Sequence, residues 1–500
     1  MNGTADPVVL DLMGDPLKTI SLTGSGTVFN QTVNNASTSV KGGKIDVSGG
    51  NVYVGSSGSA AKNTEKKMFL SDGAEISGCG TFAVAGKEAG NILAMTNATI
   101  SAANFYVSNG GCQGVNSVFA GRNAKISISG EFATEKEPTS KSTAGAVFRM
   151  AGADAEISAG TANIGAVSGT SFVVADGAKA TFTTLNVGVK GYVEVSGVQV
   201  DVLNATMDVT GGLSFGKDAD SMGHTLVVSG GSAVLNHTTT SKADIFGSGS
   251  DCHIIVKDGA ELRFADVRHL FKSGTRGSTL EVLNGGRITA TKSIYLGYGE
   301  KGAALDCAKN RLVVGSDASV TSTDGNVYVY DVNNELVVSN GVIATSGVYV
   351  GTDAKAGYNQ STNATLVIQG SSPKITGIRF SAVGVAPKIR FELARDGYSW
   401  LDEPSRSAPI EITVSKAANA INMVEGTVLE ADVTRLAPAR RGVPIPLITS
   451  DFAMSIPDSV IENANAKGAV DRYKYMFALS GDRKTLNLTV ESRGLILVVQ

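Results

Sequence analysis

Residues 279–297 read TLEVLNGGRITATKSIYLG, three short apolar pieces separated by corners. Leu280 and Val282 flank Glu281, Ile288 and Ala290 alternate with Arg287 and Thr289, and Ile294 and Leu296 flank Tyr295. Strand side chains point alternately to opposite faces, so each piece turns its aliphatic residues to one side. Asn284-Gly285-Gly286 turns the chain between the first two pieces, because asparagine and glycine tolerate positive φ, and Gly297 ends the third. One such unit has a single apolar face, broken at its corners.

The same pattern recurs. LVVSGGSAV ends its first piece at Val228, IIVKDGAEL at Val256, LEVLNGGRI at Val282, LVVGSDASV at Val314, LVVSNGVIA at Val338 and LVIQGSSPKI at Ile368, giving spacings of 28, 26, 32, 24 and 30 residues. Extra residues gather after the third piece, as in 299–310 and 352–363, which is what a coil of fixed cross-section with one elastic corner permits. A lone coil leaves its apolar side and its backbone groups open, so the units must stack, with neighbouring backbones about 4.8 Å apart. The expected fold is all-β: a parallel β-helix, or solenoid.

Composition agrees. The 500 residues contain 60 Gly against 11 Pro, one Trp and 18 % charged residues, which suits short strands joined by turns. A net charge of −3 gives no electrostatic footprint for nucleic acid. No run reaches the roughly 20 apolar residues of a transmembrane helix. Cys79, Cys112, Cys252 and Cys307 show neither a CxxC nor a metal-ligand spacing, so structural thiols are expected, with Cys79 and Cys112 the first pair to test for a disulfide.

The chain is read in three parts: an atypical N-terminal capping segment over 1–43, repeats over 44–386, and a proline-richer C-terminal β cap or small β domain over 387–500. Within the repeats, 131–141 (EFATEKEPTSK) reads as a charged, exposed loop. In the last part, strands are expected at Lys388–Leu393, Ile410–Ser415, Thr427–Val433 and Val443–Ile448. Tyr473–Leu479 and Thr485–Val490 should form a hairpin across Ser480-Gly481-Asp482.

From about Val47 to Val383, the recurring LxVSGG, GxxIxxxxxIYVG and glycine-corner elements resemble the glycine-rich passenger repeats of bacterial autotransporters. The tail, IPLITSDFAMSIPDS and YKYMFALSGDRKTLNLTVESRGL, resembles the segment that often follows them. The resemblance implies a right-handed parallel β-helix, secreted or held at a bacterial cell surface. The usual membrane β-barrel is not part of the sequence, which ends GLILVVQ, and the opening MNGTADPVVLDLMGDP has no basic and apolar signal stretch.

Motifs for chemistry are sparse. His224, His237, His253 and His269 are scattered without HExxH, and there is no GxSxG elbow, Walker loop or calcium nonapeptide. Asp72, Asp176, Asp258 and Asp317 recur at corner positions, which is turn chemistry. Tyrosine stands out instead. Tyr53, Tyr106, Tyr295, Tyr328 and Tyr349 each sit between two inward residues of a third piece, and three successive coils carry it in Tyr295, Tyr328 and Tyr349, with Tyr298 and Tyr330 nearby. Such a column suits a stabilising ladder of cross-strand pairs, and equally an aromatic strip for sugars or a protein partner. The expected function is a non-catalytic stalk or adhesin-like module with no cofactor and no metal, whose partners would be glycans or surface proteins. The alternative is a polysaccharide lyase or hydrolase on the same scaffold, since fold does not fix function.

Overall fold

The computed structural model describes residues 8–11, 19–21, 27–30, 37–55, 65–84, 90–109, 114–136, 138, 144–191, 194–239, 243–272, 274–297, 307–351, 362–398, 408–413, 420–470 and 473–492. The chain divides into two compact units, Met1–Ile255 with Gly259–Arg263, and Val256–Asp258 with Phe264–Gln500. Each is a parallel β-solenoid, the expected fold class, and each is described by itself.

In the first unit, one face is built from Val8–Asp11, Ser37–Lys41, Lys67–Ser71, Ile92–Met95, Ser117–Ala120, Val147–Ala151, Ser171–Ala175, Gln199–Leu203 and Thr225–Ser229. Each strand pairs in parallel with the next. The parallel register therefore starts ahead of residue 44, inside the segment assigned to the cap: Thr19–Ser21 pairs with Lys44–Asp46, and Thr27–Asn30 with Asn51–Tyr53. The second and third pieces of several coils fuse into one long strand, as in Ala74–Ala83, Ala98–Asn109, Glu156–Ile164 and Lys179–Val187. Small residues at the bend, such as Gly78 to Gly80, let the ladder run on through a bulge. Phenylalanines fill the interior. Phe82 stacks on Phe105 at 5.3 Å between centroids, and Phe148 on Phe172 at 4.9 Å.

The second unit has an aliphatic interior. Leu280, Leu312, Leu336, Leu366 and Ile389 stand in register, as do Val282, Val314, Val338, Ile368 and Phe391, and all are buried. Here the third pieces form a sheet of their own: Ile294–Leu296, Asn326–Val329, Gly347–Val350, Arg379–Ala382 and Ile421–Met423.

Two kinds of corner hold the coils. After the first face the chain turns through left-handed residues, Asp72, Asn97, Asn123, Asp154, Asp176 and Asn204 in the first unit and Asp258, Asn284, Asp317 and Asn340 in the second, with φ from 45° to 61°. Their short side chains tolerate this conformation, so the aspartates placed at turns by the sequence are turn residues. Ahead of the first face, buried asparagines link one coil to the next. Lys66 N–H donates to Asn91 Oδ1 at 3.1 Å and Asn91 N–H to Asn116 Oδ1 at 3.1 Å; in the second unit Ser278 N–H donates to Asn310 Oδ1 and Asn310 N–H to Asn334 Oδ1, both at 2.9 Å. Each fills a backbone donor that the corner leaves without a strand partner.

The parallel register also runs on past residue 386. Lys388–Leu393, Ile410–Ile412, Val428–Asp432 and Ile445–Ser450 continue the ladders. Only then does the chain reverse. Tyr473–Leu479 and Thr485–Ser492 form the expected hairpin, and the second lies antiparallel on Ile445–Ser450. A helix at Asp458–Lys467, unforeseen, packs on Val428–Asp432, the last strand of its face. Its Asn465 accepts from Phe477 N–H at 2.7 Å and donates to Phe477 O at 3.0 Å, pairing with the hairpin strand Tyr473–Leu479 as another strand would.

Val282 is fully buried between Val256 and Val314, while Glu281 faces outward and is half-buried. Val282→Asp should strip hydrogen-exchange protection from the neighbouring coils, because it buries an unpaired carboxylate at a cost of several kcal/mol. Glu281→Ser should leave protection within about 0.5 kcal/mol of wild type. Equal effects of the two would contradict the inward and outward assignment.

Candidate functional site

Tyr295, Tyr328 and Tyr349 stand in register at the centre of three consecutive strands. Their inward neighbours are fully buried, which fixes the strand faces and turns all three rings to the outside, where each is half-buried. Tyr295 and Tyr328 stack at 4.7 Å with 7° between planes, Tyr328 and Tyr349 at 4.8 Å with 23°. Tyr330 leans on both Tyr328 (5.2 Å) and Tyr295 (6.0 Å), and His269 meets Tyr295 edge-on at 6.4 Å. The structure thus brings together four of the five tyrosines expected here; Tyr298 lies outside the described residues.

The stacking has a chemical consequence. Ring faces turned toward one another are not offered to a ligand, so the row presents its edges and hydroxyls. Asn326 Nδ2 donates to the Tyr328 hydroxyl at 2.9 Å, so this oxygen is engaged as an acceptor. Burial raises the Tyr328 phenol above its ordinary pKa, against the opposing pull of the Asn326 hydrogen bond and the Arg379 charge. The phenol is therefore a neutral donor at neutral pH. Asn326, His269 and Arg379 were not singled out in the sequence, because none carries a repeat signature.

In the first unit the same slot is used differently. Tyr53 and Tyr106 alternate with Ala83 and Ala133, and their rings cover the small residues instead of each other. Tyr106 keeps the outward slot but is covered there and buried: its hydroxyl donates to Glu131 at 3.4 Å, and Lys136 lies 5.7 Å from its ring centre.

The segment read as an exposed loop from Glu131 is corrected in part. Glu131–Lys136 is a strand, and Glu135 within it is buried. Its carboxylate accepts from Ala146 N–H at 2.8 Å, Ala166 N–H at 3.0 Å, Thr134 Oγ1 at 2.6 Å and the Thr170 hydroxyl. Ala146 stands where the Asn91–Asn116 series runs out, and Glu135 supplies the acceptor that an asparagine supplies there. Burial raises its pKa, against these four hydrogen bonds. Cys79 is a buried free thiol, pushed up to about 12 by burial and the charge of Asp46, and is therefore unreactive; Cys112 lies outside the described residues.

One pair has the look of a nucleophile and its base. Ser221 Oγ lies 2.6 Å from His224 Nε2, both residues being buried. The polarity is reversed, however. Val198 N–H donates to His224 Nδ1 at 3.2 Å, which places the ring proton on Nε2, so the histidine donates to Ser221 and Ser221 donates to Gly188 O at 2.7 Å. A base would have to accept from the serine. The pair staples a corner, and Gly188 is required beside it because a Cβ there would lie 2.3 Å from His224 Nε2.

In comparisons with known proteins, no family model, no curated protein and no solved structure matches the chain. What can be stated of its class is the parallel β-solenoid. No helix among the described residues is long and apolar enough to cross a membrane.

Burial pushes the His224 imidazole down to about 4 from its ordinary 6.5. Between those values the unfolded chain binds the proton and the folded chain does not. The staple's contribution is therefore full above pH 6.5 and shrinks as the pH falls toward 4. Measured as the difference in unfolding free energy between wild type and His224→Gln, the loss should be about 3 kcal/mol. A pH-independent difference, or an imidazole that titrates near 6.5 by NMR, would contradict the burial argument.

Proposed function

We propose that this chain is a non-catalytic repeat protein of the secreted or cell-surface kind, a stalk that also carries an adhesin-like binding face for glycans or surface proteins. The observation that supports it is the register of Tyr295, Tyr328 and Tyr349 on one lateral face, half-buried, with the Tyr328 hydroxyl held by Asn326. Amphipathic aromatic rings held rigid on an outer face are suited to recognition. The location at a bacterial surface rests on the resemblance of the repeats to autotransporter passengers.

The triple change of Tyr295, Tyr328 and Tyr349 to serine tests this on a glycan array and a panel of surface-protein partners. Binding should be abolished while unfolding stability falls by only about 1–2 kcal/mol, the worth of the lost cross-strand pairs. A stability loss without any binding phenotype would make the row a structural ladder alone. Turnover in a reducing-sugar or unsaturated-product assay, abolished by one carboxylate substitution, would favour the lyase or hydrolase alternative.

A further inference from the structure

With Glu135 ionised, four donors point at it, and one of them has a second use for its proton. Thr134 Oγ1 accepts from Gly165 N–H at 2.8 Å, so its hydroxyl proton is turned to Glu135. The Thr170 hydroxyl lies 2.8 Å from Val167 O as well as against Glu135, and it has a single proton. Val167 is buried, and among the described residues no other donor reaches its carbonyl. If Thr170 donates to Glu135, that carbonyl goes unfilled. If Thr170 donates to Val167 O, its oxygen meets Glu135 Oε1 with no proton between them unless Glu135 supplies one.

No cation among the described residues compensates a charge at Glu135, and its strand neighbour in register is the neutral Ser108. The ionisable groups on the elements packed round it are engaged with one another: Glu131 with Lys136 and with Tyr106, Arg149 with Asp176, and Glu156 with Lys125. On the next corner Lys190 and Glu194 are exposed, and His224 accepts from Val198 N–H. Glu137 and Lys141 lie outside the described residues.

We infer that Glu135 is a neutral carboxylic acid at neutral pH, donating its proton to Thr170 Oγ1 while Thr170 donates to Val167 O, and that ionising it weakens the corner of residues 165–170. In this arrangement Oε1 accepts from Ala146 N–H and donates to Thr170, and Oε2 accepts from Thr134 and from Ala166 N–H, so every group is filled. Only an acid hydroxyl accepts and donates through one atom in this way. An amide nitrogen donates and does not accept, so a glutamine here would turn its NH2 group against the N–H of either Ala146 or Ala166. A carboxyl therefore fits this place, where the amides of Asn91 and Asn116 serve elsewhere. Loss of the proton to solvent turns the Thr170 hydroxyl to the new charge, takes the donor from Val167 O and leaves a buried anion without a cation beside it.

Isotope-edited infrared spectroscopy of the full chain, with carbon-13 in its glutamate carboxyls, reads this proton directly. At neutral pH the folded protein should show a protonated-carboxyl band that is missing from Glu135→Gln. The band should also vanish when wild type is unfolded in denaturant at the same pH, because a glutamate free of the fold titrates near 4.5. A folded wild type without the band would overturn the inference, and should the variant fail to fold, the wild-type spectra decide alone. Stability gives the second reading. The folded chain keeps the Glu135 proton above the pH at which the unfolded chain releases it, so the contribution is full below pH 4.5 and is lost as the pH rises. The folding constant of wild type relative to Glu135→Gln should therefore fall about tenfold per pH unit between about pH 5 and 7. A ratio that stays constant or grows over that range would contradict the neutral acid.

Discussion

Every coil of this protein is completed by the next one. A strand buries its aliphatic side chains only against the equivalent residues of its neighbours, and its N–H groups find carbonyls one coil away, as Gly315 N–H does at Val282 O (2.7 Å). This constraint explains the corners. Left-handed asparagine and aspartate turn each coil within the same few residues, and where the turn leaves a backbone donor without a strand partner, Asn91, Asn116, Asn310 or Asn334 supplies an acceptor from the adjoining coil. Glu135 shows how strict the requirement is. A buried carboxylate is retained where the asparagine series fails, because an unfilled donor in the same place would also be costly.

The same repetition shapes the chemistry on the surface. Side chains at one register position fall into columns about 4.8 Å apart, close to the thickness of stacked rings, so tyrosines in a column stack on each other before they meet anything else. The interior of such a row is self-satisfied. The row ends where the register changes from tyrosine to serine, between Tyr349 and Ser381.

What was legible in the sequence follows from this. Inward positions such as Val282 and Val314, the left-handed aspartates and the common face of Tyr295, Tyr328 and Tyr349 repeat from coil to coil, and period-two alternation exposes them. Glu135 was hidden because its burial depends on Thr170 and Ala146 in other coils, and its own stretch is charged. The helix at Asp458–Lys467 carries ordinary signals, Pro457 before it, Asp458 in its first turn and Gly468 after it, but it stands among strands and buries only Val460 and Ala464, too few to mark a helical face. The stacking of the tyrosine rings and the hydrogen bond from Asn326 to Tyr328 were not legible, because alternation gives a residue's side of the strand and not the direction of its ring or its partner.

The central claim is the register of the coils, and cysteine cross-linking tests it most directly. Glu281 and Val313 are separated by one full coil in sequence yet stand opposite each other on neighbouring strands, both facing outward. Adjacent strands at about 4.8 Å are within disulfide range, whereas two coils' separation exceeds the limit of about 7 Å. Mild oxidation of a Glu281→Cys/Val313→Cys variant should give an intramolecular disulfide by peptide mass mapping, and a Glu281→Cys/Val337→Cys variant should not. Cross-linking in the second variant and not in the first would contradict the register and the fold built on it.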